Sequence, residues 1–194
     1  MNIKTWIGLG VVVVLVLYGV NVNNNLVSLE ENVNQAWAQV ESQYQRRADL
    51  IPNLVNTVKG AADFEKETLT QVVEARSKAT SVQMSPEMLK NEQAFNQFKQ
   101  AQSQLSGALS RLLVSVERYP ELKANQNFRD LQVQLEGTEN RIAVERNRYN
   151  RAAREYNTAI RRFPTSLFAN MFGFEKVAYF EAEEGAENAP DVQF

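Results

Sequence analysis

The chain contains neither cysteine nor histidine in its 194 residues. Without cysteine there is no disulfide, no thiolate nucleophile and no lipid-modified N-terminal cysteine. Without histidine, the imidazole-based triads and the common zinc and di-iron ligand sets are gone. Gly-rich phosphate loops, metal-ligand spacings and nucleophile motifs are missing as well. The sequence therefore points away from an enzyme and predicts no catalytic residue, no cofactor and no metal. A hydrolase working through Ser–Lys or paired carboxylates is the remaining catalytic alternative; the carboxylate version requires a deep pocket holding at least two acids with raised pKa values. A strong excess of one charge is also lacking. A net charge of −2 gives no whole-chain pull toward nucleic acid or anionic lipid.

One long apolar run stands at the N-terminus. Residues 3 to 22 read IKTWIGLGVVVVLVLYGVNV, with Lys4 as the sole charge. As a helix, the uninterrupted core from 6 to 20 spans about 22 Å and the whole stretch about 30 Å, the reach of a slightly short membrane-crossing helix. Trp6 and Tyr18 sit near its two ends, where amphipathic rings favour the membrane–water boundary, and are read as anchor residues. A signal peptide would share the basic start and apolar run, but no A-x-A-like cleavage site follows Tyr18. A soluble helix packed on a core by one side would show a polar face on the other, and none is present. Lys4 lies on one flank, while residues 21 to 45 carry Glu30, Glu31 and Glu41 and no Lys or Arg. The positive-inside bias then predicts a cytoplasmic N-terminus and an extracytoplasmic body.

After Asn23-Asn24-Asn25 the pattern is helical throughout. Leu26, Leu29, Val33, Ala36, Val40, Leu50, Leu54 and Val58 recur at steps of three and four, placing a stripe on one face. Trp37, Tyr44 and Ile51 widen it. Nothing forces a break from the apolar run, so one helix is expected to continue through both. Pro52 predicts a kink near residues 48 to 52, and Gly60 a left-handed stop. Asp63 is a candidate cap for a second helix reaching about Thr80. Ser85-Pro86-Glu87 reads as the start of a third, carrying Met88, Phe95, Phe98, Leu105, Leu109, Leu112 and Val116. Asn125 or Asn127 starts a last helix with Phe128, Leu131, Leu135, Thr138, Ile142, Glu145, Tyr149, Ala152, Tyr156, Ala159 and Phe163 in its stripe, ended by Pro164. Its regular 3-4 alternation suits coiled-coil-like packing. The expected fold is all-α: an N-terminal transmembrane helix followed by a long antiparallel four-helix bundle. The divisions are an anchor over 1–22, a bundle over 23–164, and an apolar segment with an acidic tail over 165–194.

Two charges interrupt the apolar stripes: Arg47 in the first bundle helix and Glu145 in the last. A buried charge needs a partner, so the economical arrangement is a mutual pair, or pairs with Asp49 and Arg146. These four residues form a candidate structural polar seam, with a buried ligand or partner site as the functional alternative. The last helix is rich in arginine (Arg141, Arg146, Arg148, Arg151, Arg154, Arg161, Arg162). Glu139, Glu145 and Glu155 break up that charge and its tyrosines lie in the apolar stripe, so no nucleic-acid partner is predicted. Residues 165 to 174, TSLFANMFGF, cover one end of the core, meet the membrane, or meet another subunit. Phe168, Phe172 and Phe174 are accordingly candidate docking residues, together with the terminal Phe194. Residues 175 to 194 are acidic and expected to be disordered.

Four runs of residues carry a family likeness: YQRRADLIPNLV at 44 to 55 with Val58-Lys59-Gly60; ERYPELKAN at 117 to 125; LEGTENRIA at 135 to 143; and YNTAIRRFP at 156 to 164. With Glu67, Ala75-Arg76, Gly173-Phe174 and Phe194, the chain over nearly its whole length resembles the LemA family of bacterial membrane proteins, relatives of the magnetosome proteins of the MamQ type. The resemblance implies a short N-terminus, one membrane helix, a helical-bundle domain and location in the bacterial inner membrane. It transfers no catalytic residue. Relatives resemble HEKETL where this chain has Phe64 to Leu69, and Phe64 in the histidine's place argues against a metal or proton role there. The resulting expectation is a non-enzymatic, membrane-anchored scaffold that forms homo-oligomers, with membrane lipid and membrane proteins as partners. The glycines of the apolar run, Gly8, Gly10 and Gly19, lack GxxxG spacing, which assigns association to the bundle. The alternative from another class is a regulatory accessory subunit of an envelope enzyme such as a membrane protease.

Overall fold

The structure is a computed structural model that describes residues 2–60 and 65–181. Asp63, Phe64 and the residues after Glu181, Phe194 among them, lie outside the described residues. Among the described residues the chain is all-α, with no strand: α1 (Ile3–Lys59), α2 (Lys66–Ser81), a 3-10 turn (Pro86–Lys90), α3 (Glu92–Val116), α4 (Pro120–Ala124), α5 (Gln126–Arg161) and α6 (Thr165–Phe172).

The apolar run and the first bundle helix are a single α-helix of 57 residues. At 1.5 Å per residue it is about 85 Å long. Pro52 lies within it without interrupting it. Proline cannot donate to the carbonyl four residues back. That carbonyl, of Ala48, instead accepts from Arg76 Nε of α2 at 2.8 Å, so the missing bond is replaced by a contact that also docks α2. Gly60 closes α1 in right-handed geometry (φ −69°), not the expected left-handed one.

Two further helix starts are set by asparagine side chains. Asn91 Oδ1 accepts from Ala94 N at 3.0 Å, and Asn125 Oδ1 from Phe128 N at 3.2 Å. Each satisfies one of the orphan donors of a first turn. Asn125 was an expected start. Asn91 replaces Ser85-Pro86, which opens only the 3-10 turn.

Helix α5 packs along α1, and α2 along α3. The α1–α5 pairing is antiparallel with a constant register. Trp37 faces Tyr149 with ring centroids 5.5 Å apart, and Arg47, ten residues further along α1, meets Glu139, ten residues back along α5. The buried side chains form two separate apolar clusters. The one nearer the apolar run gathers Leu26, Val33, Trp37, Val40 and Tyr44 of α1, Phe95 and Phe98 of α3, and Ile142, Tyr149, Tyr156 and Ile160 of α5. The distal one joins Ile51, Leu54 and Val58 with Leu69 and Val72 of α2, Leu105 and Leu112 of α3, and Leu135 of α5. Because α2 is short, it contributes buried residues to the distal cluster alone. Four helices surround the core only there.

In contrast, the large apolar side chains from Ile3 to Val20 are exposed. Leaving so many in water would forgo tens of kcal/mol of burial. Length and composition make this the one helix among the described residues apolar enough to cross a membrane.

Two expectations at the C-terminal side are corrected. Phe163, placed in the α5 stripe, is 81% exposed, because α5 ends at Arg161 and the chain turns before α6. Residues 175–181, expected to belong to a disordered tail, form with Phe174 an ordered strap laid along α5. The reason is specific: Asn157 Nδ2 donates to Val177 O at 2.8 Å while its Oδ1 accepts from Val177 N at 3.0 Å. Asn150, two turns earlier, does the same for Phe180 at 2.7 and 2.9 Å. Tyr149 Oη donates to Ala178 O, and Ala178 N donates to Leu89 O.

Candidate functional site: a polar groove with a buried arginine

Between the two apolar clusters lies a polar layer centred on Arg47, which is 1% exposed. Its Nη1 donates to Glu139 Oε1 at 2.6 Å and to Ser106 Oγ at 2.7 Å. Its Nη2 donates to Gln102 Oε1 at 2.6 Å. Gln102 Nε2 donates in turn to Ala79 O at 3.3 Å, tying α2 into the layer. The guanidinium carbon stands 5.1 Å from the Tyr44 ring centroid, a cation–π distance. Thr138, also buried, sends its hydroxyl back to Gln134 O within its own helix. A guanidinium in an apolar seam is tolerable only with this density of acceptors.

The polar seam thus exists but is wired differently from expectation. Arg47 pairs with Glu139, not with Glu145 or Asp49. Glu145 lies six residues, about 9 Å, along α5 from Glu139, so the antiparallel register puts it out of reach. It accepts from Arg148 at 2.8 Å within its own helix, and its other oxygen is buried without a hydrogen-bond partner among the described residues. Asp49 is exposed. Arg146 lies over the Phe180 ring at 4.6 Å. Ser106, Gln102 and Glu139, which complete the layer, were missed because each occupies a polar position that sequence spacing cannot distinguish from a solvated face.

The layer forms the floor of an open groove of about 1090 Å³. Its walls are α3, with Gln93, Asn96, Gln97, Gln100 and Ser103, and α5, with Ile142 and Arg146; the strap closes one end at Phe180. Phe180 is itself buried among Trp37, Phe95, Phe98 and Tyr149. The lining is rich in amides and offers both donors and acceptors. Glu139, the acid at the floor, accepts from Arg47, and Glu92 and Glu181 also line the groove. Beside the strap, burial pushes the Tyr149 hydroxyl far above its ordinary pKa, with Tyr179 adding to the effect. Burial, then Glu30 and Glu175, push Tyr156 up to about 12. Both phenols are thereby kept neutral.

The candidate anchor and docking residues divide. Trp6 and Tyr18 are exposed on α1. Phe168 packs edge-on against Tyr18 at 5.5 Å, Phe174 packs on the membrane-side core cluster, and Phe172 is partly exposed. These phenylalanines are used first within the chain.

The LemA family model matches residues 36–194, and therefore most of the chain. The chain belongs to the LemA family. It is 25% identical over 164 residues to Protein LemA of Metamycoplasma hominis, covering 83% of this chain and 69% of that protein. It is 26% identical over 185 residues to Magnetosome protein MamQ 2 of Paramagnetospirillum magneticum and to Magnetosome protein MamQ of Magnetospirillum gryphiswaldense, covering 87% of this chain and 68% of each relative. This LemA-family chain carries three of its four resemblance runs at structurally decisive places. YQRRADLIPNLV holds Arg47 and Pro52, LEGTENRIA holds Glu139, and YNTAIRRFP holds Asn157 and the α5–α6 turn.

Proposed function

We propose that the protein is a non-enzymatic scaffold, anchored by the first twenty residues of α1, that self-associates through its bundle and organises membrane or partner proteins. The observation that carries this reading is the continuity of α1. A bare apolar stretch and the spine of the bundle are one helix, so the bundle's attitude to the lipid is set by backbone hydrogen bonds and not by a flexible linker. Fixed attitude is what a scaffold requires of its subunits. The relatives named as magnetosome proteins support membrane association. In this reading the N-terminus lies in the cytoplasm of a bacterial cell and the bundle outside its inner membrane, an orientation supported by Lys4 before the run and the acidic flank after it. Particle size in mild detergent, followed over a hundredfold range of concentration, tests self-association. The expected result is a discrete oligomer; a strictly monomeric particle throughout refutes it.

A second reading, an accessory subunit of an envelope enzyme, is favoured by the groove. The strap shows that α5 holds an extended backbone through side-chain amides, and the open stretch beyond it is lined by similar groups. A photo-crosslinking residue substituted at Ser103 in native membranes separates the readings. An adaptor captures a distinct membrane enzyme, whereas a scaffold captures mainly itself.

A further inference from the structure

Helix α6 does not cap the bundle in the ordinary way. It stands beside the last turn of the bare apolar stretch of α1. Phe168 packs edge-on against Tyr18. A Cβ on Gly19 would come within 3.0 Å of the Phe168 ring and 3.9 Å of Phe172, so Gly19 is the gap into which α6 fits. Ala169 is buried on the same side. The opposite side is unpartnered: Leu167 is 61% and Met171 67% exposed, and they lie one turn apart on one face. Phe163, immediately before the helix, is more exposed still. Arg161 and Arg162 precede it, exposed and without an ion-pair partner among the described residues.

We infer that α6 is a second, shallow membrane contact: a foot that lies in the boundary between headgroups and acyl chains, with Phe163, Leu167 and Met171 in the lipid. The inference rests on the anchor reading above and extends it. Three physical points select lipid as the occupant. First, α6 is held through Phe168 and Phe172 against Tyr18 and Gly19, at the end of the exposed apolar run of α1. Second, the apolar core of α1 from 6 to 20 rises only about 22 Å against a hydrocarbon thickness of about 30 Å. The bilayer must therefore reach the outer end of the run, which is the level of Phe168. Third, a face of three or four side chains falls far short of the roughly 20–30 residues a side that a stable protein interface uses. Arg161 and Arg162 then stand where lipid phosphates are, and their long stems let the guanidinium groups reach outward from an apolar base.

The native chain lacks cysteine, so single-cysteine variants of the full-length protein can carry a nitroxide at one chosen site. In phosphatidylcholine–phosphatidylglycerol vesicles, collision with oxygen is compared with collision with a water-soluble nickel chelate. The sites are Leu167→Cys, Met171→Cys, Val13→Cys in the anchor and Val133→Cys on the outer face of α5. The expected oxygen-to-nickel ratio at Leu167 and Met171 is at least threefold that at Val133 and below that at Val13. Ratios at Leu167 and Met171 equal to Val133, with Val13 still in lipid, overturn the foot alone; an aqueous Val13 overturns the anchor reading as well. Tenfold dilution of the protein with added lipid is expected to leave the ratios unchanged. If the protection at Leu167 disappears on dilution, the face contacts a second copy and the inference fails.

Discussion

Removing either end of the Arg47–Glu139 pair should have unequal consequences, and the inequality follows from where each group sits. Arg47 is 1% and Glu139 41% exposed at the side chain. Replacing Glu139 by leucine leaves a buried guanidinium whose remaining acceptors, Gln102 and Ser106, are neutral. Breaking a buried pair in this sense costs about 3–5 kcal/mol; because neutral acceptors persist, the lower end, about 3 kcal/mol, is expected. Replacing Arg47 by methionine removes the charge that needed compensation. Glu139 turns to water, and Gln102 Oε1 and Ser106 Oγ each lose one bond, a loss of about 1 kcal/mol apiece that the relieved desolvation largely offsets. At roughly 2–4 °C per kcal/mol for a chain of this size, Glu139→Leu should lower the melting temperature by about 6–12 °C and Arg47→Met by less than about 4 °C. Circular dichroism melts of the full chain in one detergent measure both. A large loss in Arg47→Met beside an unaffected Glu139→Leu would show that the layer stabilises by attraction and not by compensation, refuting the argument.

Three further outcomes are expected. Asn157→Ala leaves Val177 N–H and C=O without partners and should loosen the strap by about 2–3 kcal/mol, raising hydrogen exchange of residues 175–181 while leaving mid-α5 amides protected. Arg76→Ala reopens the Ala48 carbonyl that Pro52 cannot serve; the expected cost is about 1 kcal/mol, and it should vanish when Pro52 is first replaced by alanine, as a thermal double-mutant cycle would reveal. Finally, Tyr149 and Tyr156 bind their protons more tightly folded than unfolded. Stability from this source is fully present below the unfolded phenol pKa near 10 and is lost as pH rises toward 12 and beyond. A melting temperature that falls above pH 10, less steeply in Tyr156→Phe, is the expected result; no difference between the two chains would refute it.

What the linear chain determined by itself is everything that depends on neighbours within a turn or two. The bare apolar run, the 3-4 stripes from Leu26 to Val58 and from Phe128 to Tyr156, and the Asn125 cap are local patterns. Helical periodicity displays them without reference to any other element. That Arg47 interrupts a buried stripe was equally visible, since the interruption is a property of α1 alone.

Which groups answer Arg47 was decided only by tertiary structure. The antiparallel register of α1 and α5 selects Glu139 over Glu145, and register is set by the packing of Trp37, Tyr149 and their neighbours along the whole interface. The strap is a stronger case. Its order comes from Asn150 and Asn157, whose amides meet backbone 20 to 30 residues further on. Composition reads residues 175–181 as part of an acidic tail because the donors and acceptors that hold them belong to another helix. Gly19 behaves likewise: in sequence it is one small residue in an apolar run, and only the approach of Phe168 shows why a side chain there would be in the way. Contacts that join distant segments through shape and hydrogen bonds leave no periodic trace, and so they become visible only once the helices are packed.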